Sequence, residues 1–250
     1  MRDARYGCGR PPRQTGRVLI DLSHTIRAGL VTYPGLPAPT FTPHLTRENS
    51  RGVYAPGTEF AMDIITMIGN TGTYLDAPFH RYGDGGDLSS LDLATLVDLP
   101  TVTVHVRGIG RRGIDASDLP TDIPAGSAVL LDTGWDRHFG TPAYATDAPF
   151  LTEAGTRALI AQGVALVGID SLNIDDTSPD AAGARPAHSL LLAARIHVVE
   201  HLTGLDAVPE RGARFTAVPP KVEAFGTFPV RAFATVPDAA PSPARTGSRA

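Results

Sequence analysis

The 250-residue chain is 42% hydrophobic, enough to fill the core of one α/β domain. Its net charge of −4, with Lys221 the single lysine, leaves no basic footprint and excludes a nucleic-acid-binding surface. Cys8 stands alone, which excludes an intrachain disulfide and a cysteine-rich metal site. The basic opening lacks the apolar core of a signal peptide, and no apolar run is long enough for a bilayer. The expectation is a cytoplasmic protein without membrane contact.

Residues 1–16, rich in Arg, Gly and Pro, read as a loose arm. Val18–Leu22 is a short apolar run suited to a buried strand and leads to Ser23 and His24. Tyr33-Pro34-Gly35-Leu36-Pro37 is a stiff turn. Weak alternation over Phe41–Arg47 and clearer alternation over Glu59–Met67 predict paired strands, the second reading as buried and running out into a polar turn. Leu91–Val97 is a helical candidate capped by Ser90. Thr101–Arg107, with β-branched residues at nearly every second position, is the clearest strand pattern. Ala128–Asp132 is a buried strand leading to Thr133-Gly134-Trp135.

Thr152 caps a helix from Leu151 to Gln162, and Gly163 ends it before the apolar strand Val164–Ile169. A helix running directly into such a strand is the alternation of a layered α/β sheet. His188–Ala194 reads as helical and Ile196–Val199 as a strand ending at Glu200. Thr216–Pro219 and Phe228–Thr235 are the last predicted strands, and from Pro237 the composition is that of a disordered tail. No repeat and no linker interrupts residues 17–236, so one domain is expected.

The densest chemistry lies in Ile68–Asp87, IGNTGTYLDAPFHRYGDGGD. Pro78, between Asp76 and His80, disfavours an ordinary helix and suggests a rigid turn that sends both side chains into one cleft. This stretch resembles the signature His-x-Gly-Thr-His-x-Asp-x-Pro-x-His of the metal-dependent cyclase-like hydrolases, the group of bacterial kynurenine formamidase and isatin hydrolase. The match holds at Gly72, Thr73, Asp76, Pro78 and His80. Asn70 and Tyr74 stand where the two leading histidines of the signature belong. Downstream, Arg185-Pro186-Ala187-His188 and Val198-Val199-Glu200 resemble the family's second half, where a His and an acidic residue about this far apart are ligands. The resemblance spans roughly residues 17 to 235.

The resemblance implies a swivelling β/β/α fold with a mixed central sheet or partial barrel flanked by helices, and a homo-oligomer, dimeric or tetrameric. It also implies a metal held by Asp76, His188 and Glu200, with His80 as general base. His24, Tyr33, Trp135 and Asn70 are then expected on the substrate pocket. The position built from the two missing histidines is lost, because an amide oxygen is a poor zinc ligand and a phenol ionises only near pH 10. One divalent ion, zinc or manganese, is expected, with Tyr74 a hydrogen-bond donor or general acid. The implied reaction is hydrolysis of an amide, lactam or ester in a small carboxylic or aromatic compound, with kynurenine formamidase as precedent. Two other readings stay open: a metal-free acid–base cyclase, dehydratase or isomerase, and a non-catalytic ligand-binding homologue.

Overall fold

The structure is a computed structural model that describes residues 16–237. The predicted arm through residue 15 and the tail after residue 237 lie outside the described residues. In chain order the strands are β1 (Arg17–Asp21), β2 (Thr40–Leu45), β3 (Met62–Thr66), β4 (Tyr74–Asp76), β5 (Leu99–His105), β6 (Gly113–Ile114), β7 (Ala128–Asp132) and β8 (Phe150–Leu151). They continue with β9 (Leu166–Ile169), β10 (His197–Glu200), β11 (Arg211–Thr216), β12 (Thr227–Pro229) and β13 (Phe233–Pro237). The helices are the short α1 (Arg47–Ser50), then α2 (Glu153–Ala161) and α3 (Pro186–Ala193).

Nine strands form one strongly curled mixed sheet in the order β1-β13-β11-β5-β7-β9-β10-β4-β12. The centre, β5, β7, β9 and β10, is parallel, and both flanks are antiparallel. The central strands read as unbroken apolar runs because both of their faces are covered. Ala128, Leu130 and Val199 enter one core, around Phe215, while Val129, Leu131 and Val198 enter the other, beneath α2 and α3. Thr152 caps α2 as the sequence suggests, accepting from the Gly155 amide.

Five expectations are corrected. β1 is not a buried strand: it lies at one edge of the sheet, and Val18 and Leu19 are exposed. Leu91–Val97 is not one helix: Asp87 and Asp92 cap two separate 3-10 turns, Leu88–Ser90 and Leu93–Thr95. Thr216 ends β11 instead of opening a strand, and Pro219 follows outside any strand. The closing strand is split into β12 and β13. The apolar run through β3 is not buried: every residue of β3 is exposed, because among the described residues it pairs only with β2 and no layer covers the hairpin.

Candidate active site

The site grows from side-chain alternation on three adjacent strands. β4 lies between β10 and β12, with Tyr74 opposite Glu200 and Pro229, and Asp76 opposite Val198 and Thr227. Leu75, Val199 and Phe228 point into the Phe215 core. Their neighbours Tyr74, Asp76, Glu200 and Thr227 must therefore face the other side, where α3 lies. Gly72, at φ +66°, turns the chain into β4 in a conformation that suits glycine. After Asp76, Pro78–His80 forms a 3-10 turn that brings His80 back over the sheet.

α3 supplies His188 from above. Its first turn is held by buried Asp175, which accepts from the Ala187 amide at 2.6 Å and the His188 amide at 3.0 Å. Asp175 also bonds His188 Nδ1 at 2.7 Å, leaving Nε2 aimed at the sheet. That nitrogen lies 3.5 Å from Asp76 Oδ2 and 3.6 Å from Glu200 Oε1. Asp76 is wholly buried, and among the described residues its Oδ2 has no hydrogen-bond partner. Its Oδ1 accepts from Thr227 Oγ1 at 2.5 Å, and the same hydroxyl lies 2.7 Å from His80 Nδ1. Glu200 accepts from the Ile174 amide at 2.6 Å and the Tyr74 hydroxyl at 2.7 Å.

Electrostatics follow from burial and the crowding of like charges. Burial, with the charges of Glu200 and Asp76 adding to it, raises the Tyr74 phenol well above its usual range. Burial alone would push Asp76 up, yet nearby His188 and His80 hold it below the ordinary carboxylate value. Glu200 is pushed up by burial, with Asp76 adding and His188 opposing. Burial would lower His188, but Glu200, Asp175 and Asp76 together carry it well above the usual imidazole range.

The cleft over these groups encloses about 410 Å³ and is lined by Asn70, Tyr74, His80, His188 and Glu200 together with Arg81 and Arg185. The other three residues expected on its wall stand aside. Tyr33 and Trp135 pack against Tyr144 in a neighbouring aromatic cluster, and His24 stacks on Phe139 at 3.6 Å between ring centroids. Aromatic side chains so close find more apolar contact with one another than at a polar cleft. Thr227, His201 and Tyr144 carry no signal in the sequence, because each joins the site by a contact distant along the chain, and Asp175 lies in a loop that gives no sign of its partner.

One ligand atom each from Asp76, His80 and His188 lie within 4.8 Å of one another, a set able to hold a metal ion. The family model described as "Putative cyclase" matches residues 20–176, and a kynurenine formamidase from Geobacillus thermodenitrificans is 32% identical over 216 residues, covering 85% of this chain and 95% of its own. The chain belongs to the cyclase family. Its fold matches an isatin hydrolase A from Labrenzia aggregata bound to benzyl benzoate, with a TM-score of 0.75, 23% identity and coverage of 88% and 94% of the two chains. A potential metal-dependent hydrolase with cyclase activity gives a TM-score of 0.71 at 25% identity, with 90% of this chain and 100% of that one covered. Like these relatives, this cyclase-family chain is a hydrolytic enzyme. Among the described residues no helix is long and apolar enough to cross a membrane.

Proposed function

We propose that this cyclase-family chain is an arylformamidase-like hydrolase that cleaves an amide, lactam or ester bond in a small carboxylic or aromatic compound with one divalent metal. The observation that carries this reading is the pairing of Asp76 Oδ2 with His188 Nε2. A fully buried carboxylate oxygen without a donor faces an imidazole nitrogen 3.5 Å away, too distant for a good hydrogen bond but suited to sharing a cation. Asp76 and His188 would hold the ion. Glu200 Oε1, 3.6 Å from His188 Nε2, is the further donor, and His80 stands close to the pair without being needed as a ligand. A mixed carboxylate and imidazole set suits zinc or manganese. Such an ion, when bound, lowers the pKa of water and polarises a carbonyl.

The protein's own groups do the rest. Thr227 has one hydroxyl proton, which goes to Asp76 Oδ1, so its oxygen accepts from His80 Nδ1–H. His80 Nε2 is then bare and can take the proton from the attacking water and return it to the leaving nitrogen. Arg81 and Arg185 at the cleft supply positive charge for a substrate carboxylate. Tyr74 places its proton on Glu200, not on the open cleft, which makes it a support for Glu200 and not a donor to substrate.

The same reading makes the enzyme a cytoplasmic homo-oligomer. A two-stranded hairpin is marginal alone, and β2–β3 exposes Phe41, Met62, Ile64 and Ile65, with Phe60 just before it. A second copy would cover those side chains. The deciding experiment is metal analysis of protein purified without added metal or chelator, with N-formylkynurenine hydrolysis measured before and after chelation. About one ion per chain and chelator-sensitive turnover are expected. Two ions would overturn the reading of Asn70 and Tyr74 as a lost position, and chelator-resistant turnover of metal-free protein would favour acid–base chemistry.

A further inference from the structure

Behind the cleft four polar side chains run in a line. The Tyr74 hydroxyl is 2.7 Å from Glu200 Oε2 and 3.2 Å from His201 Nε2, and His201 Nδ1 is 2.9 Å from the Tyr144 hydroxyl. All four residues are buried. Counting protons gives the line a direction. A carboxylate only accepts, and a phenol owns one proton, so the shorter, charge-assisted contact takes it. The Tyr74 oxygen can then only accept from His201, which puts a hydrogen on His201 Nε2. A neutral imidazole protonated there has a bare Nδ1, and that nitrogen accepts from Tyr144.

The backbone is shaped for this. Consecutive strand residues point to opposite faces, yet Glu200 and His201 both reach the same phenol. His201 does so from φ +55°, a left-handed conformation uncommon outside glycine and concentrated at functional sites. Tyr144 is fixed in turn by Trp135, whose indole Nε1 donates to the Tyr144 carbonyl at 2.9 Å. Phe139 closes edge-on against both Tyr144 and His201.

We infer that His201 and Tyr144 are positioning residues that commit the Tyr74 proton to Glu200 and so hold the Glu200 carboxylate against His188. The inference rests on the hydrolase reading only in taking Glu200 as part of the active site. It gives a purpose to the phenol that replaces a signature histidine: Tyr74 is the link between an aromatic cluster and a carboxylate.

The test is the tautomer of His201 in the zinc-saturated protein, read from the two ring nitrogens of 15N-histidine-labelled enzyme by NMR. The expected signal is a neutral Nε2–H imidazole, assigned by its absence in His201→Gln. Its Nδ1 resonance should move in Tyr144→Phe and its Nε2–H proton in Tyr74→Phe, so the assignment survives if one variant fails to fold. Turnover by Tyr144→Phe and His201→Gln should fall about 10- to 100-fold with KM within about twofold, the size expected for an outer partner of an active-site ligand. An Nδ1–H tautomer or an imidazolium at neutral pH overturns the inference, as does wild-type kcat in both variants. If the protein hydrolyses nothing, the tautomer still decides this point, so the two readings fail separately.

Discussion

At the scale of single residues, the site depends on an acceptor left without a donor. Asp76 Oδ2 is buried and unpartnered beside His188. Asp76→Ala should therefore remove both bound metal and turnover, whereas Tyr74→Phe should leave metal content unchanged and lower kcat by about 10- to 100-fold. Elemental analysis and steady-state kinetics on the same preparations check both. Loss of metal from Tyr74→Phe would make the phenol a ligand after all. Asp175 is the counterpart on the helix side, holding His188 Nδ1 and two amides of the α3 first turn. Asp175→Asn should weaken zinc binding about 10- to 100-fold by calorimetric titration. Asp76, His80, His188 and Glu200 were legible because they sit in three compact sequence words. Asp175 was not, since an Asp in a Pro- and Gly-rich loop looks the same whether it caps a helix or faces water.

At the scale of elements, close approach decides what the signature can tolerate. A Cβ on Gly226 would lie 2.4 Å from the His80 amide nitrogen and 2.5 Å from its Cα. Backbone cannot yield as a side-chain tip can, so Gly226→Ala should part Thr227 from His80. It should cost about 1–3 kcal/mol in urea unfolding, with a matching loss of turnover. The β2–β3 hairpin carries the opposite lesson. Its alternation predicted a strand correctly and a buried one wrongly, because apolar spacing shows which residues need cover without showing which chain provides it. Ile64→Lys with Ile65→Lys should halve the mass seen by sedimentation while the monomer's circular dichroism stays unchanged. An unaltered mass would leave the hairpin without a role in assembly. Leu91–Val97 misled for a different reason: Asp87 and Asp92 each cap a single turn, and local caps so close together prevent a continuous helix.

At the scale of the whole molecule, the layered α/β sheet was legible from the apolar runs of β7, β9 and β10 and from the capped α2. The order of strands across the sheet was not, since pairing between distant segments leaves no mark on either. One buried group links the fold to pH. His197 opens β10 and, among the described residues, has only Thr95 at its Nε2, and burial lowers it to about 4 from an ordinary 6.5. The folded state thus holds it neutral while the unfolded chain takes up a proton below about pH 6.5. Stability from this group is full above that pH and is lost as pH falls towards 4. Between pH 7.5 and 5 the loss is about 2 kcal/mol, and His197→Gln should remove that part of the slope in urea denaturation. Equal slopes for both proteins would show that His197 is hydrated in the fold.

The sandwiching of β4 between β10 and β12 also sets a timetable. The Asp76–Thr227 bond joins residues 151 apart in sequence, and the Tyr74–Glu200 bond joins residues 126 apart. Closing such distances is slow compared with forming α2 or the β2–β3 hairpin. A chain still emerging from the ribosome, released only as far as β10, has Asp76 facing a missing neighbour and His80 without its threonine. The residues that resemble the family most closely are made early, yet they become a site only when one of the last strands is synthesised.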